Sequence, residues 1–272
     1  MALQQRQLPD RHILSMLVGM ILLSYSLTHF VSIPARKFEL VIAGVYLPIV
    51  INFSTLNTLL VAGLTASGSA WLINQHPAAK EKRTLEHGII PSLSSLVLMA
   101  AIEQLPFGPV WWAAALGSGL ALALILIAEY IILDPDHIYH LAAEIAIASL
   151  SLVLFLILAI ALHAGGTRLV YRIPLISLSA VLVFIRILHI RRGQFWALPQ
   201  VGVVVVLLGE LAAGFHYWPL SSISYGIALL GPLYALVEFT DNLHQDPPQR
   251  GITRWLGPSL ILVLSWTVAF LV

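Results

Sequence analysis

Apolar runs of about 20 residues recur along this chain, the length an α-helix needs to cross the hydrocarbon of a bilayer. "GSGLALALILIAEYIIL" at 117–133 and "AAEIAIASLSLVLFLILAIAL" at 142–162 are two of them. A lipid-facing backbone must satisfy its own polar groups, which leaves helices or closed barrels. No sustained 10-residue alternation of the barrel type occurs in the sequence. Across 272 residues, 59% are hydrophobic and 10% charged. Soluble domains hold ~45–50% apolar and ~25% charged residues, so polar surface here is too scarce to cover a water-soluble globule. The fold class is all-α: a polytopic transmembrane helical bundle of about ten spans (9–10), without a soluble domain.

The expected spans lie at about 13–33, 38–53, 55–75, 87–105, 109–133, 138–163, 169–189, 197–217, 220–241 and 253–272, forming a single integral membrane domain over 1–272. The second is short and contains Pro48. "MALQQRQLPDRH" at the start is polar and no small-residue cleavage site follows it, so the first apolar segment reads as a retained span. With ten crossings, Arg36, Lys37, Lys80, Lys82, Arg83, Arg186, Arg191, Arg192, Arg250 and Arg254 share one side, and Arg6, Arg11, Arg168 and Arg172 the other. By the positive-inside rule the first side is cytoplasmic, with loops 76–86 and 242–252, and both termini face outward. The expected location is a plasma membrane of bacterial type. Trp111, Trp112, Tyr217 and Trp218 fit an interfacial aromatic belt. "AGLTASGSA" at 62–70 and "GSGLALA" at 117–123 allow close helix approach, and Gly231-Pro232 falls in mid-span.

Titratable groups gather around one turn. "AEYIILDPDHIYHLAAE" at 128–144 places Glu129 before the break Asp134-Pro135-Asp136, and His137, His140 and Glu144 after it. Proline disfavours helix at the residue before it, and Asp caps the next helix, so Asp136 is expected to cap a helix starting near His137. His137, His140 and Glu144 then share one face at spacings i, i+3 and i+7. Glu129 and Glu144 fall at similar depth in an antiparallel hairpin, where two ionised carboxylates call for a proton or a cation. Together with Glu129 these residues offer a divalent metal site or a proton relay. Structural polar contact at the membrane interface is the alternative. Glu86, His87, Arg186, His189, Glu238 and Asp241, with His29 and Glu39 nearby, extend the cluster as the rim of a polar cavity. Arg186 is the expected partner of one acid, and Arg191 and Arg192 are expected to meet lipid headgroups. Glu103 and His163 lie towards the other side. Glu210 is a candidate intramembrane acid, with His216 six residues later.

Several chemistries are excluded. Without cysteine, disulfides, thiolate metal sites and cysteine nucleophiles are impossible. P-loop, GxSxG, HExxH and CaaX patterns are missing from the sequence. A net charge of +1 offers nothing to nucleic acid. The function that fits is ion- or proton-coupled transport of a small solute. The alternatives are a membrane-embedded enzyme acting on a lipid or isoprenoid at a cytoplasm-facing His/Glu site, and a non-catalytic subunit holding haem or pigment. The partners expected are the bilayer and a small molecule, ion or lipid ligand.

Overall fold

The computed structural model describes residues 9–31, 34–42, 45–76, 85–193, 198–244 and 253–271. In order these form α1 (Arg11–Phe30), β1 (Arg36–Ile42), β2 (Val45–Ile51), α2 (Phe53–Ile73), a 3-10 turn (Leu85–Gly88), α3 (Ile89–Glu103), α4 (Pro109–Ile132), α5 (His140–Ala164), α6 (Leu169–Arg192), α7 (Leu198–His216), α8 (Ser222–Leu243) and α9 (Thr253–Leu271). Seven helices, α1, α2 and α4 to α8, are long and apolar enough to cross a membrane, while α3 and α9 belong to a shorter apolar class. This is the make-up of an integral membrane protein. The expectation of about ten spans is not confirmed among the described residues.

The segment expected to cross at 38–53 is instead an antiparallel β-hairpin, with Arg36 opposite Ile51 and Ile42 opposite Val45. Its residues explain the difference. Val41, Ile42, Val45, Tyr46, Ile49, Val50 and Ile51 are of the β-branched and aromatic types that favour strands. Pro48 in a helix interior would cost ~3 kcal/mol, whereas an edge strand accepts it.

The chain divides into two compact units, Met1–Ala143 and Glu144–Val272. In the first, α1 packs on α2 and α4, and α3 on α2 and α4. Contacts at the helix ends set their directions. Ser54 at the start of α2 donates to Glu103 at the end of α3 (2.6 Å), and Phe30 at the end of α1 meets Phe107 (6.1 Å between centroids). At the opposite end, His76 after α2 meets Tyr130 near the end of α4 (4.6 Å). The four helices therefore alternate in direction. The hairpin sits between α1 and α2 at the Glu103 end, and residues 74–76 and 85–88 lie at the other, the end where α1 begins. Arg36 is thus at the opposite end from His76 and the 3-10 turn, whereas ten crossings would put it on their side; Lys80, Lys82 and Arg83 lie outside the described residues.

Small residues serve the predicted close approach. A Cβ on Gly68 would lie 2.2 Å from Leu17 Cδ1, and one on Gly119 2.8 Å from Leu22 Cδ1. Both leucines belong to α1, which seats against α2 and α4 at these glycines. The core of this unit runs through Leu17, Ile21, Val61, Met99, Leu122 and Trp111. Trp111 is 1% exposed and is a core residue, not the belt residue expected. Trp112, Tyr217 and Trp218 are exposed, as a belt requires.

In the second unit, α8 packs extensively on α9 and α6 on α7. Helix α8 continues through Pro232. A Cβ on Gly231 would fall 1.8 Å from Ser265 Oγ and 2.7 Å from its Cβ. Gly231→Ala should therefore lower stability by ~1–3 kcal/mol, the usual cost of overpacking, despite the higher helix propensity of alanine. Melting in detergent checks this. Adding Ser265→Gly should recover most of the loss, and Gly257→Ala, where the space is open, should be neutral or stabilising.

Candidate functional site

The turn after α4 is built by Asp134. Its Oδ1 accepts from Asp136 N (3.1 Å) and its carbonyl from His137 N (3.1 Å). His137 O in turn accepts from His140 N (2.9 Å), and α5 begins at His140. Two expectations are corrected here. Asp134, through an Asx-type turn, does the local work assigned to Asp136. His137 lies before the helix, buried, with its Nδ1 accepting from Tyr139 N (3.1 Å). The three-residue face therefore shrinks to His140 and Glu144, one turn apart and both half-buried. The boundary between the units falls at this point, so Glu129 belongs to the first and Glu144 to the second.

Glu129 has another partner. Its side chain is fully buried, and Oε2 lies 2.9 Å from His87 Nδ1. His87 closes the 3-10 turn ahead of α3, which brings the imidazole to the last two turns of α4. An Nδ1–H donating to this carboxylate forms a charge-assisted bond. Next to them in sequence, Tyr130 packs on His76. Among the described residues no group of three or more His, Asp or Glu side chains is arranged to hold a metal ion. Glu86 lies in the 3-10 turn, but its side chain, like that of His29, is outside the described residues, as is most of the 242–252 loop. Glu39 is exposed on β1.

The second unit holds the more elaborate polar construction. A cavity of about 240 Å³ opens between α5, α6 and α8, with Glu144, Ser149, Arg191 and Tyr234 among its lining residues and Ile187 and Val237 on its apolar walls. Arg191 bridges Glu238 (2.8 Å) and Asp241 (3.5 Å). Arg192 Nε donates to Asp241 Oδ1 (2.5 Å), and its terminal nitrogens donate to the carbonyls of Asp241 and His244. The acids Glu238 and Asp241 are thus held by Arg191 and Arg192, the residues expected to meet headgroups. The reason lies in the packing: α6 lies against α8, and its cationic last turn comes to rest beside the acidic last turns of α8. Arg186 and His189 are buried earlier in α6, with His189 Nδ1 against the Ile185 carbonyl (3.1 Å).

Glu210 is on the exposed face of α7, and no hydrogen bond or ion pair reaches it among the described residues. At the end of α7, however, sequence reasoning overlooks a cluster. Arg172, 3% exposed, donates from Nη1 to His163 Nδ1 (3.1 Å) and His216 Nδ1 (2.6 Å). It also donates from Nη2 to the Thr167 carbonyl (3.0 Å), and lies over the Tyr225 ring (5.6 Å), on which His163 stacks (4.3 Å). Both Nδ1 atoms accept, so both imidazoles are neutral in this arrangement. The four residues come from four helices and no spacing joins them, so only their individual presence was legible.

Residues 33–272 match the family model described as a protein of unknown function, DUF5656. The chain belongs to the DUF5656 family. It matches no curated protein and no solved structure.

The His87–Glu129 contact makes a quantitative forecast. His87→Ala and Glu129→Gln should each destabilise by ~1–3 kcal/mol, as expected when a buried partner is lost. Their double mutant should fall short of the sum by more than ~0.5 kcal/mol, the signature of direct coupling. Reversible unfolding in detergent measures both, and strict additivity would mean that the pair does not interact.

Proposed function

We propose that this DUF5656 protein is a membrane carrier that binds a small amphipathic solute in the α5–α6–α8 cavity and moves it in exchange for, or together with, protons or cations. The observation that carries this reading is the cavity itself. It holds about 240 Å³ and is mostly apolar, with a carboxylate, a guanidinium and a phenol among its lining residues. Such a lining accepts an apolar body and orients one polar head. Pockets for drug-sized ligands measure roughly 300–1,000 Å³, so the solute is smaller. Glu144 is the proton- or cation-bearing group within this unit, and the buried His87–Glu129 pair is a second protonatable element in the other. His137 lies ahead of α5, off the helical face that carries His140 and Glu144, which speaks against the metal-enzyme alternative built on that face.

The same reading assigns an orientation. In the first unit the end where α1 begins carries Arg6, Arg11, Lys80, Lys82 and Arg83 in its adjoining sequence, against Arg36 and Lys37 at the hairpin end. The positive-inside rule makes the former end cytoplasmic. The 76–86 loop keeps its expected side, while the segment before α1 moves from the outside to the cytoplasm.

Benzylamine and benzoate, each an apolar ring with one charged head, serve as probes. Equilibrium dialysis should show saturable binding of one of them, lost in Ala148→Trp, which fills the cavity. A gradient of that probe across proteoliposomes with an entrapped pH dye should drive proton movement in wild type and none in Glu144→Gln. Absence of binding by both would overturn the cavity as a solute site. Binding without probe-driven flux would overturn transport.

A further inference from the structure

Arg172, in the first turn of α6, joins four helices at one end of the second unit without the help of a carboxylate. It is 3% exposed. Its Nη1 donates to His163 Nδ1 (3.1 Å) at the end of α5 and to His216 Nδ1 (2.6 Å) at the end of α7. Its Nη2 donates to the Thr167 carbonyl (3.0 Å) and its Nε to Thr167 Oγ1 (3.4 Å), both in the α5–α6 loop. The guanidinium lies over the ring of Tyr225 in α8 (5.6 Å). The His163 ring is also hydrogen-bonded to the backbone of Leu220, in the α7–α8 loop. The ends of α5 and α7 are therefore both fastened to α6 through an imidazole.

The donors alone decide the protonation states. An arginine side chain offers N–H groups, has no acceptor and keeps its charge in proteins. Each histidine Nδ1 must therefore supply a lone pair, so each ring is neutral with its proton on Nε2. A proton added at Nδ1 removes that lone pair, abolishes the hydrogen bond and sets a second cation against the guanidinium, where like charges repel. No acid relieves this. The charged and titratable groups around the cluster are His163 from α5, Arg172 and the exposed Arg168 from α6, His216 and Tyr217 from α7 (5.2 Å between their rings), and Tyr225 from α8. The Tyr225 hydroxyl is engaged by the Ala212 carbonyl (3.1 Å). No ion pair reaches Arg172, His163 or His216 among the described residues. Glu210, the acid nearest His216 in sequence, is on the exposed face of α7. Both histidines are half-buried, beside exposed Ala164, Gly165 and Tyr217, so neither is sealed in the core as Arg172 is.

We propose that His163 and His216 form a proton-binding site: uptake of a proton by either ring breaks its bond to Arg172 and releases that ring's helix end from α6. The fastened form belongs to the higher pH and the released form to the lower, because each bond exists only while its ring is neutral. The inference is independent of the carrier reading, since none of these residues lines the α5–α6–α8 cavity.

The chain has no cysteine, so Ala164→Cys and Gly214→Cys can be spin-labelled as a pair. Ala164 is exposed next to His163, and Gly214 has open space for a side chain two residues before His216. Pulsed EPR in phosphatidylcholine liposomes, with both faces at the same pH, reads the distance between the labels. The distribution should be narrow at about pH 8 and broaden reversibly at about pH 5, the range over which an imidazole changes charge. With His163→Asn and His216→Asn added, it should stay narrow at both, because an amide oxygen accepts the Arg172 bond and does not titrate. If that double replacement is not monodisperse, His163→Asn and His216→Asn taken singly should each broaden less than the unreplaced protein at the lower pH. A distribution unchanged by acid in the unreplaced protein would overturn the proposal. Equal broadening with and without the replacements would also overturn it, by assigning the acid response to other groups.

Discussion

Everything polar in this structure is disposed by one constraint: inside a bilayer each backbone N–H and C=O must find its partner within the protein. Helices meet that constraint residue by residue, and so the chain is mostly helix. Side-chain polarity is then pushed to the helix ends, where orphan backbone groups and water are found. The described contacts follow this rule. Ser54 and Glu103 meet at one end of the first unit, and His87 and Glu129 near the other. Arg191, Arg192, Glu238 and Asp241 meet in the last turns of α6 and α8. Among the described residues the hairpin is the one pair of strands. It leaves strand edges that only a wet or interfacial position can tolerate, and this excludes it from the hydrocarbon interior.

Helix locations were legible because a 20-residue apolar run has few other fates in a chain with so little charge. The hairpin was hidden by the same logic. "FELVIAGVYLPIVI" is apolar on both alternations, so the period of two that marks a half-buried strand is blurred. Pro48 was the local signal, since it argues against helix and for an edge strand. The start of α5 was misread by three residues because two aspartates flank Pro135 and either can cap. Asp134 closes the turn, which moves His137 off the helix.

Individual site residues were legible, but their partners were not. Glu129 and His87 were both singled out, as were Glu238 and Asp241. Their pairings join residues 42 and 49 positions apart, and only helix packing decides them. Arg172 shows the limit most clearly. A buried guanidinium held by two neutral histidines and a tyrosine ring has no sequence signature, because each contact comes from a different helix. Conversely, Glu144, singled out because a carboxylate one turn inside an otherwise apolar helix is costly without a purpose or a partner, lines the α5–α6–α8 cavity.

The sidedness of every site in the first unit depends on the hairpin turning back without crossing. Cysteine accessibility in intact cells tests this directly. Gln5→Cys and Ala79→Cys should both resist a membrane-impermeant maleimide until the membrane is permeabilised, whereas Ala43→Cys should react at once. Labelling of Gln5→Cys but not Ala79→Cys in intact cells would put an extra crossing between them and contradict the account.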